Sequence, residues 1–182
     1  IVPIFEIGEW EGQHYFTMPL VEGGTLRELM EELRTDTKAC ARLMITVARA
    51  IQVAHQHGII HRDIKPANII VTRLGEIKLV DFGLVKLWDA NDPRTQAAIG
   101  GMGTPSYAPP EQYGGNMNNT EPRSDIYSLA ATLHHALTGQ APPHLSQLLS
   151  GQVPLSTPAT LNTNVSAHIS QAIVQGMALN LE

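Results

Sequence analysis

Short apolar runs alternate with polar turns in the first 20 residues of the chain. Residues 2–9 and 14–19 are two such runs, and the polar turn Glu11–Gly12–Gln13 separates them. Two runs rich in apolar and aromatic residues around a short polar turn are typical of a β-hairpin. The chain is therefore predicted to begin with one.

Helical patterns follow the hairpin. Gly23–Gly24 is predicted to break the strand, and Thr25 with Glu28 has the spacing of a capping box. A helix is therefore predicted from Thr25 to about Leu33. A second helix is predicted over residues 37–57, with Gly58 as its stop. Its apolar stripe consists of Leu43, Val47, Ile51 and Ala54.

The pattern changes after residue 58. Short β-type runs are predicted at Ile59–Ile60, Ile69–Val71 and Ile77–Val80. Residues 84–123 are rich in Gly, Pro, Asn and Thr and predict a long irregular segment, of the kind that usually carries function. Further helices are predicted at residues 124–138, 144–150 and 166–179. This mixture of helices with a few short strands predicts the α+β class.

Composition excludes several classes of function. The 182 residues are 43% hydrophobic and carry a net charge of −5, without a block of Lys and Arg interleaved with aromatics. One globular unit that does not bind nucleic acid is therefore expected. The single cysteine, Cys40, excludes an internal disulfide and favours a reducing compartment.

No metal cluster and no membrane span are expected. None of the eight histidines has ligand spacing with a cysteine. His134 and His135 are adjacent on a predicted helix and would point in different directions, so they are interpreted as ordinary helix residues. No apolar run reaches the ~20 residues that cross a bilayer. A cytoplasmic location is predicted, and a membrane anchor outside these residues is compatible with it.

The charged stretch HRDIKPAN, residues 61–68, lies between two apolar runs. Asp63 can accept a proton from a hydroxyl, Lys65 can neutralise phosphate charge, and Asn68 can bind a hard cation. Asp81 ends the next apolar run, in LVDFG, and adds a second oxygen ligand that suits Mg²⁺. A base, a charge clamp and two metal ligands together favour phosphoryl transfer.

These residues resemble the eukaryotic-type protein kinases, of the bacterial Ser/Thr kind. HRDIKPAN resembles their catalytic loop, DFG their metal-binding loop, and GTPSYAPPEQ the end of their activation segment. SDIYSLAATLHHALTGQAPP is similar to the long buried helix of their helical lobe, and HYFTMPLVEGGTL to their fifth strand and hinge. The resemblance implies a protein-kinase-like fold. Residues 1–22 would be the end of the N-lobe with the hinge, and residues 23–182 the C-lobe.

The resemblance also implies roles for the charged residues. Asp63 would be the base for the substrate hydroxyl, Lys65 would steady the γ-phosphoryl of ATP, and Asn68 with Asp81 would hold Mg²⁺. The alternative is that Asp63, Asn68 and Asp81 only cap turns. Lys65 followed by Pro66 is typical of Ser/Thr enzymes, so the expected partners are ATP and proteins with Ser or Thr, including the kinase itself.

Supporting residues follow from the same resemblance. His61 and Phe82 would stack in the spine that links the lobes, or simply pack in the core, and Gly83 completes the DFG motif. Arg62 would receive a phosphate on the activation loop. Asp125 would support the backbone of the catalytic loop.

The adenine pocket is predicted at the hinge. Met18 would be the gatekeeper, the carbonyl of Pro19 would accept from the adenine amino group, and the N–H of Val21 would donate to the ring. Pro19 stands where the family often has Glu, but a proline keeps the carbonyl that adenine needs. Ile70 would form the floor of the pocket, or serve only as a core strand residue.

Three residues of the activation segment are candidates for regulation or substrate binding. Thr104 would contact Asp63 and Lys65, although a plain turn hydroxyl is the alternative. Thr95 is the candidate for phosphorylation. Glu111, in PPE where APE is usual, would normally pair with a later Arg, and no Arg follows Arg123. An unpaired Glu111 is therefore expected.

The chain begins and ends in the middle of a pattern, so a fragment is predicted. It would lack the Gly-rich loop, the strand Lys and the helix Glu of the family, and it would be inactive by itself. Two alternatives to an active Ser/Thr protein kinase stay open. One is a pseudokinase that binds nucleotide or protein partners without phosphoryl transfer, and the other is a small-molecule kinase.

Overall fold

The fold was analysed in a computed structural model, which describes residues 1–82, 106–112 and 120–179. The strands are β1 (Glu6–Trp10), β2 (Gln13–Thr17), β3 (Gly23–Thr25), β4 (Ile69–Thr72) and β5 (Ile77–Leu79). The helices are α1 (Leu26–Thr35), α2 (Thr37–Gln56), α3 (Pro122–Thr138), α4 (Leu145–Leu149), α5 (Pro158–Leu161) and α6 (Ala167–Gly176). Short 3₁₀ turns are present at Pro66–Asn68 and Pro110–Gln112.

The predicted hairpin is confirmed. β1 and β2 are antiparallel, and Glu6 lies opposite Thr17. Glu11 and Gly12 turn the chain with φ values of +51° and +75°, as a two-residue hairpin loop of the primed type requires. Apolar side chains stay exposed on this hairpin, among them Phe5 at 69% and Trp10 at 71%.

The second sheet has the order β3-β4-β5, and both of its pairs are antiparallel. The prediction that Gly23–Gly24 breaks the strand was wrong, because both glycines pair with β4 in β3. A Cβ on Gly23 would lie 2.2 Å from the carbonyl oxygen of Val71. Glycine therefore permits a close backbone approach that the pattern of polar and apolar residues does not reveal.

Helix α3 lies at the centre of the helical body, packed by α1, α2 and α6. The α1 cap forms as predicted, since the N–H of Thr25 donates to Glu28 Oε2 at 3.0 Å. The buried side chains of α2 are Cys40, Met44, Val47, Ile51 and Ala54, whereas the predicted Leu43 is only partly buried. The buried face of α2 therefore includes Met44 in place of the predicted Leu43.

Other helix boundaries shift by a few residues. α3 begins at Pro122, before the predicted residue 124, because proline suits the first helical position. α5 was not predicted, and Ile59–Ile60 forms no strand. Within the described residues, no helix combines the length and the apolar character that a bilayer crossing demands.

Candidate active site

The buried carboxylate of Asp125 holds the loop at residues 61–63 in place. It lies in the first turn of α3, fully buried. Its oxygens accept hydrogen bonds from the backbone N–H groups of His61 (2.9 Å) and Arg62 (2.8 Å) and from Nε2 of His55 (2.7 Å). Arg62 has a φ of +69°, a conformation that non-glycine residues adopt only when their surroundings enforce it. Asp125 thus fixes the backbone immediately before Asp63.

His61 packs against Phe82, with ring centroids 4.3 Å apart. Burial lowers the pKa of His61, against the opposing influence of the Asp125 and Asp63 carboxylates. The ring is therefore neutral near pH 7, and Nδ1 accepts a hydrogen bond of 3.3 Å from the N–H of Asp63. The structure thus brings the predicted pair together, and the histidine also orients Asp63.

Asp63, Lys65 and Asn68 converge as the spacing predicted. Nζ of Lys65 lies 2.7 Å from Oδ2 of Asp63. The amide nitrogen of Asn68 donates to the carbonyl oxygen and to Oδ2 of Asp63, both at 2.8 Å. The Asp63 carboxylate is thereby oriented by a cation and an amide while its side chain stays 36% exposed to solvent.

Asn68 and Asp81 offer oxygen atoms to a cation. The N–H of Val80 donates to the carbonyl of Asn68 at 3.1 Å, so Asp81 follows directly beside it. Asp81 is exposed and has a φ of +60°. The Asn68 amide nitrogen donates to Asp63, whereas its amide oxygen has no hydrogen bond to a described residue. A carboxylate and an amide oxygen are ligands that suit Mg²⁺.

The described residues contain no group of three or more His, Cys, Asp or Glu side chains placed to hold a metal. Such a group would be typical of a zinc site, whereas Asn68 and Asp81 form a pair of one amide and one carboxylate oxygen ligand. His134 is buried, and its ring nitrogens lie 3.2 Å from the carbonyl oxygen of Gln140 and 3.0 Å from that of Ser156. It is thus bound to backbone groups of the helical body.

The hinge residues connect the two sheets. Met18 is 40% exposed, and Pro19 and Val21 are half-buried. Neither the carbonyl of Pro19 nor the N–H of Val21 bonds to another described residue. Both groups are therefore available to a ligand. Ile70 pairs with Thr25 of β3 and Lys78 of β5, and it is half-buried.

A cleft of about 420 Å³ opens beside the hinge. Its lining residues are Leu20, Val21, Glu22, Gly23, Gly24, Val71, Thr72 and Arg73. Because it contains Val21 but neither Ile70 nor Asp81, the cleft adjoins the predicted nucleotide site without including its catalytic groups.

Residues 106–112 connect the loop around Asp63 to α3. Nε2 of Gln112 donates to the carbonyl of Arg62 at 2.9 Å. Glu111 accepts a hydrogen bond from the hydroxyl of Ser124. Among the described residues Glu111 has no cationic partner, but the hydroxyl satisfies one of its oxygens, which the sequence did not indicate.

Three of the predicted site residues, Gly83, Thr95 and Thr104, lie outside the described residues. Two residues of the site were not predicted from the sequence: His55, which bonds to Asp125, and Gln112, which bonds to the carbonyl of Arg62. His55 follows the buried Ala54 directly and lies one helical turn after the buried Ile51, so its position in α2 does not indicate a role. The role is visible only from its partner, Asp125, 70 residues away.

Comparison with known proteins places these features in a family. The chain matches the family model for the protein kinase domain over residues 1–174. It is 36% identical over 188 residues to serine/threonine-protein kinase PknD of Mycobacterium tuberculosis, which covers 99% of this chain and 28% of that protein. It is 38% identical over 144 residues to serine/threonine-protein kinase PknL of the same organism, covering 78% of this chain and 35% of PknL.

A solved structure gives the same result. The apo form of PpkA-294 matches with a TM-score of 0.73 and 26% identity, over 98% of this chain and 62% of that one. The predicted α+β, protein-kinase-like fold is therefore confirmed. The chain spans between a quarter and about a third of the length of the curated relatives named above.

Proposed function

Because the chain belongs to the protein kinase family, we propose that the full-length protein transfers the γ-phosphoryl of ATP to Ser and Thr hydroxyls of proteins, including its own. Residues 1–22 are assigned to the N-lobe and hinge and residues 23–182 to the C-lobe. We place the domain in the cytoplasm, where ATP is available.

The arrangement around Asp63 carries the proposal. Its carboxylate lies 2.7 Å from Lys65 Nζ and 2.8 Å from the Asn68 amide nitrogen, which hold it in one orientation. A carboxylate fixed in this way can accept the proton of a substrate hydroxyl as that hydroxyl attacks. Lys65, beside it, brings a positive charge to the position where the transferred phosphoryl must pass.

Asn68 and Asp81 would hold Mg²⁺. The ion, when bound, neutralises phosphate charge during transfer. The chain's own contribution is to set both oxygen ligands on the short 3₁₀ turn and at the end of β5, joined by the Val80–Asn68 hydrogen bond of 3.1 Å. Met18, Pro19, Val21 and Ile70 are assigned to adenine. The support for Pro19 and Val21 is that the carbonyl of the first and the N–H of the second bond to no other described residue.

Two observations support Ser and Thr as acceptors. Lys65–Pro66 follows Asp63, and Lys65 contacts that base directly. The relatives named above are called serine/threonine-protein kinases. Thr104 is assigned to the acceptor site, and Thr95 to regulation by phosphorylation opposite Arg62.

The proposal is tested with full-length protein, radiolabelled ATP and Mg²⁺, followed by phosphoamino acid analysis. Phosphoserine or phosphothreonine is expected, and EDTA should abolish it. An Asp81→Asn variant should lose transfer because one metal ligand loses its charge. Phosphotyrosine as the main product would refute the acceptor class. ATP binding without any transfer would instead favour a pseudokinase.

A further inference from the structure

The solvent-facing side of α2 carries positive charge only. Arg42 and Arg49 are exposed there, and Lys38 is exposed one turn before Arg42. The 20 residues of α2 contain no Asp or Glu, although the whole chain has 17 acidic and 12 basic residues. Charges of both signs are typical of a helix face that meets only solvent. This face therefore has an unusual composition for a chain whose net charge is −5.

Two aliphatic side chains lie beside the arginines. Ile45 is 51% exposed and Val53 is 50% exposed. Arg42 and Arg49 are two helical turns apart, about 10 Å along the axis, with Ile45 on one side of the line that joins them and Val53 on the other. We call these four residues the basic face of α2. The buried stripe of the helix lies on the opposite side.

No described residue neutralises the basic face. Neither arginine forms an ion pair with an acid in the part of the chain that the structure describes. The nearest acid along the sequence is Asp36, which accepts from the N–H of Ala39 at 2.9 Å and so belongs to the helix start. Elements α1, α3 and β5 pack against α2, and the basic face stays exposed beside them.

An acidic amphipathic helix complements this arrangement. Two carboxylates seven residues apart on one side of such a helix have the same spacing as Arg42 and Arg49. Leu or Ile residues between the carboxylates would meet the aliphatic side chains of the basic face, as in the packing of neighbouring helices.

A membrane surface fits the basic face less well. Helices that lie in a membrane interface insert large side chains such as Trp, Phe and Leu on their apolar side. The large hydrophobic side chains exposed on α2 are Ile45 and Val53. These two lie at the edges of the line of arginines and do not form a separate apolar side.

We propose that the basic face of α2 is a docking surface for an acidic amphipathic helix of another protein. This inference goes beyond the proposed function and does not depend on it, because the face lies away from Asp63 and the groups that orient it. Each exposed ion pair contributes little by itself. Both arginines and the aliphatic side chains are therefore needed for binding.

The test measures the Kd of full-length protein by fluorescence anisotropy with two labelled helical peptides. One peptide consists of three heptads with Glu and Leu along one side, and the other has Lys in place of each Glu. The Glu peptide should bind roughly tenfold more tightly at low salt, as two exposed ion pairs allow. Raising the salt concentration should reduce this difference.

Three variants locate the binding surface. Arg42→Glu combined with Arg49→Glu should reverse the preference towards the Lys peptide. Arg27→Glu, the same charge change on an exposed residue of α1, should leave the preference for the Glu peptide unchanged. Ile45→Ala should weaken binding of the Glu peptide several-fold at every salt concentration, because it removes apolar contact. The double variant should autophosphorylate at the wild-type rate.

The outcomes separate docking from phosphoryl transfer. Equal binding of the Glu and Lys peptides, or a Glu preference that survives the double charge reversal, would overturn the docking surface and leave the kinase function intact. Vesicles of phosphatidylcholine and phosphatidylglycerol form a further arm. Arginine-dependent binding to these vesicles, without binding of the Glu peptide, would overturn the proposal in favour of a membrane contact. Wild-type protein that binds the Glu peptide but transfers no phosphate would refute the proposed function alone.

Discussion

A single buried carboxylate organises the loop that carries the predicted base. Asp125 has no exposed surface and accepts from two backbone N–H groups and from His55. A buried charge is tolerated only where hydrogen bonds replace water. Asp125 therefore stabilises the chain and, through Arg62, sets the direction of Asp63.

Asp125→Asn should destabilise the protein by about 3 kcal/mol, because the neutral amide presents hydrogens towards donors that need an acceptor. The free energy of unfolding in urea measures this. Asp36→Asn is the matched control. Asp36 caps α2 from an exposed position, accepting from Ala39 N–H at 2.9 Å, and Asn caps equally well. Equal losses in the two variants would contradict the role given to Asp125.

Thr132 carries a buried hydroxyl that has no hydrogen-bond partner among the described residues. Thr132→Val keeps the shape and removes the unsatisfied group, so it should stabilise the protein by about 1 kcal/mol. The comparison is Ser128→Ala one turn earlier, whose hydroxyl donates to Tyr107 at 2.8 Å. That variant should be destabilised by a similar amount in the same denaturation experiment. A less stable Thr132→Val protein would refute this account.

At the scale of single residues, the sequence predicted contacts between side chains that are near each other along the chain. Asp63, Lys65 and Asn68 were predicted to meet because five residues of loop bring them within reach, and they do. His55 and Gln112 were missed because their partners lie 70 and 50 residues away. Only the packing of helices brings such residues together.

At the scale of elements, periodicity predicted the long helices and the hairpin. It failed at β3, which consists of Gly23, Gly24 and Thr25 and has almost no side chains to show a period. What makes it a strand is pairing with β4, a tertiary contact. Local pattern could not show that contact, and glycine usually indicates the end of a strand.

The close approach at β3 can be tested with two neighbouring glycines. Gly23→Ala should disrupt the β3–β4 pairing, since its Cβ would meet backbone atoms of Val71 and Thr72 at under 3 Å. Gly24→Ala should cost much less, because its Cβ would meet only the end of the flexible Glu28 side chain. Thermal denaturation of both variants measures the difference. Equal melting temperatures would show that β3 tolerates a side chain at Gly23.

For the whole molecule, buried titratable groups predict how stability depends on pH. Burial raises the pKa of Cys40 to about 12, from its usual value of 9. The folded protein keeps this proton above pH 9 while the unfolded chain releases it. Stability should therefore fall as pH rises from 9 towards 12, by up to about 1.4 kcal/mol per pH unit.

Urea denaturation at pH 8 and pH 10.5 measures this slope. In Cys40→Ala the protein is less stable at both values, but the loss between them should be smaller because no thiol titrates. An unchanged loss would show that Cys40 is not responsible.

On the acid side of neutrality, the lowered pKa of His61 predicts that stability changes with pH in the opposite direction. Stability should decrease as pH falls below about 6.5, since the unfolded chain takes up a proton first.

The overall architecture was predictable because several motifs occur in a fixed order along the chain. Among the described residues, Asp81 follows β5, Asn68 ends the 3₁₀ turn, and Asp125 lies in the first turn of α3. Side-chain contacts between distant elements could not be predicted in the same way. Tyr107 and His135, for example, are 28 positions apart and meet only when residues 106–112 pack against α3.

The most direct test of the central claim is the rate of phosphoryl transfer by full-length Asp63→Asn protein, compared with wild type and with Glu76→Gln. Glu76 is exposed, and Lys78 is the one ion-pair partner that it has among the described residues. If Asp63 is the base, kcat should fall at least a hundredfold in Asp63→Asn, as loss of a general base predicts, and stay unchanged in Glu76→Gln. Asp63→Asn protein that transfers phosphate at the wild-type rate would contradict the account.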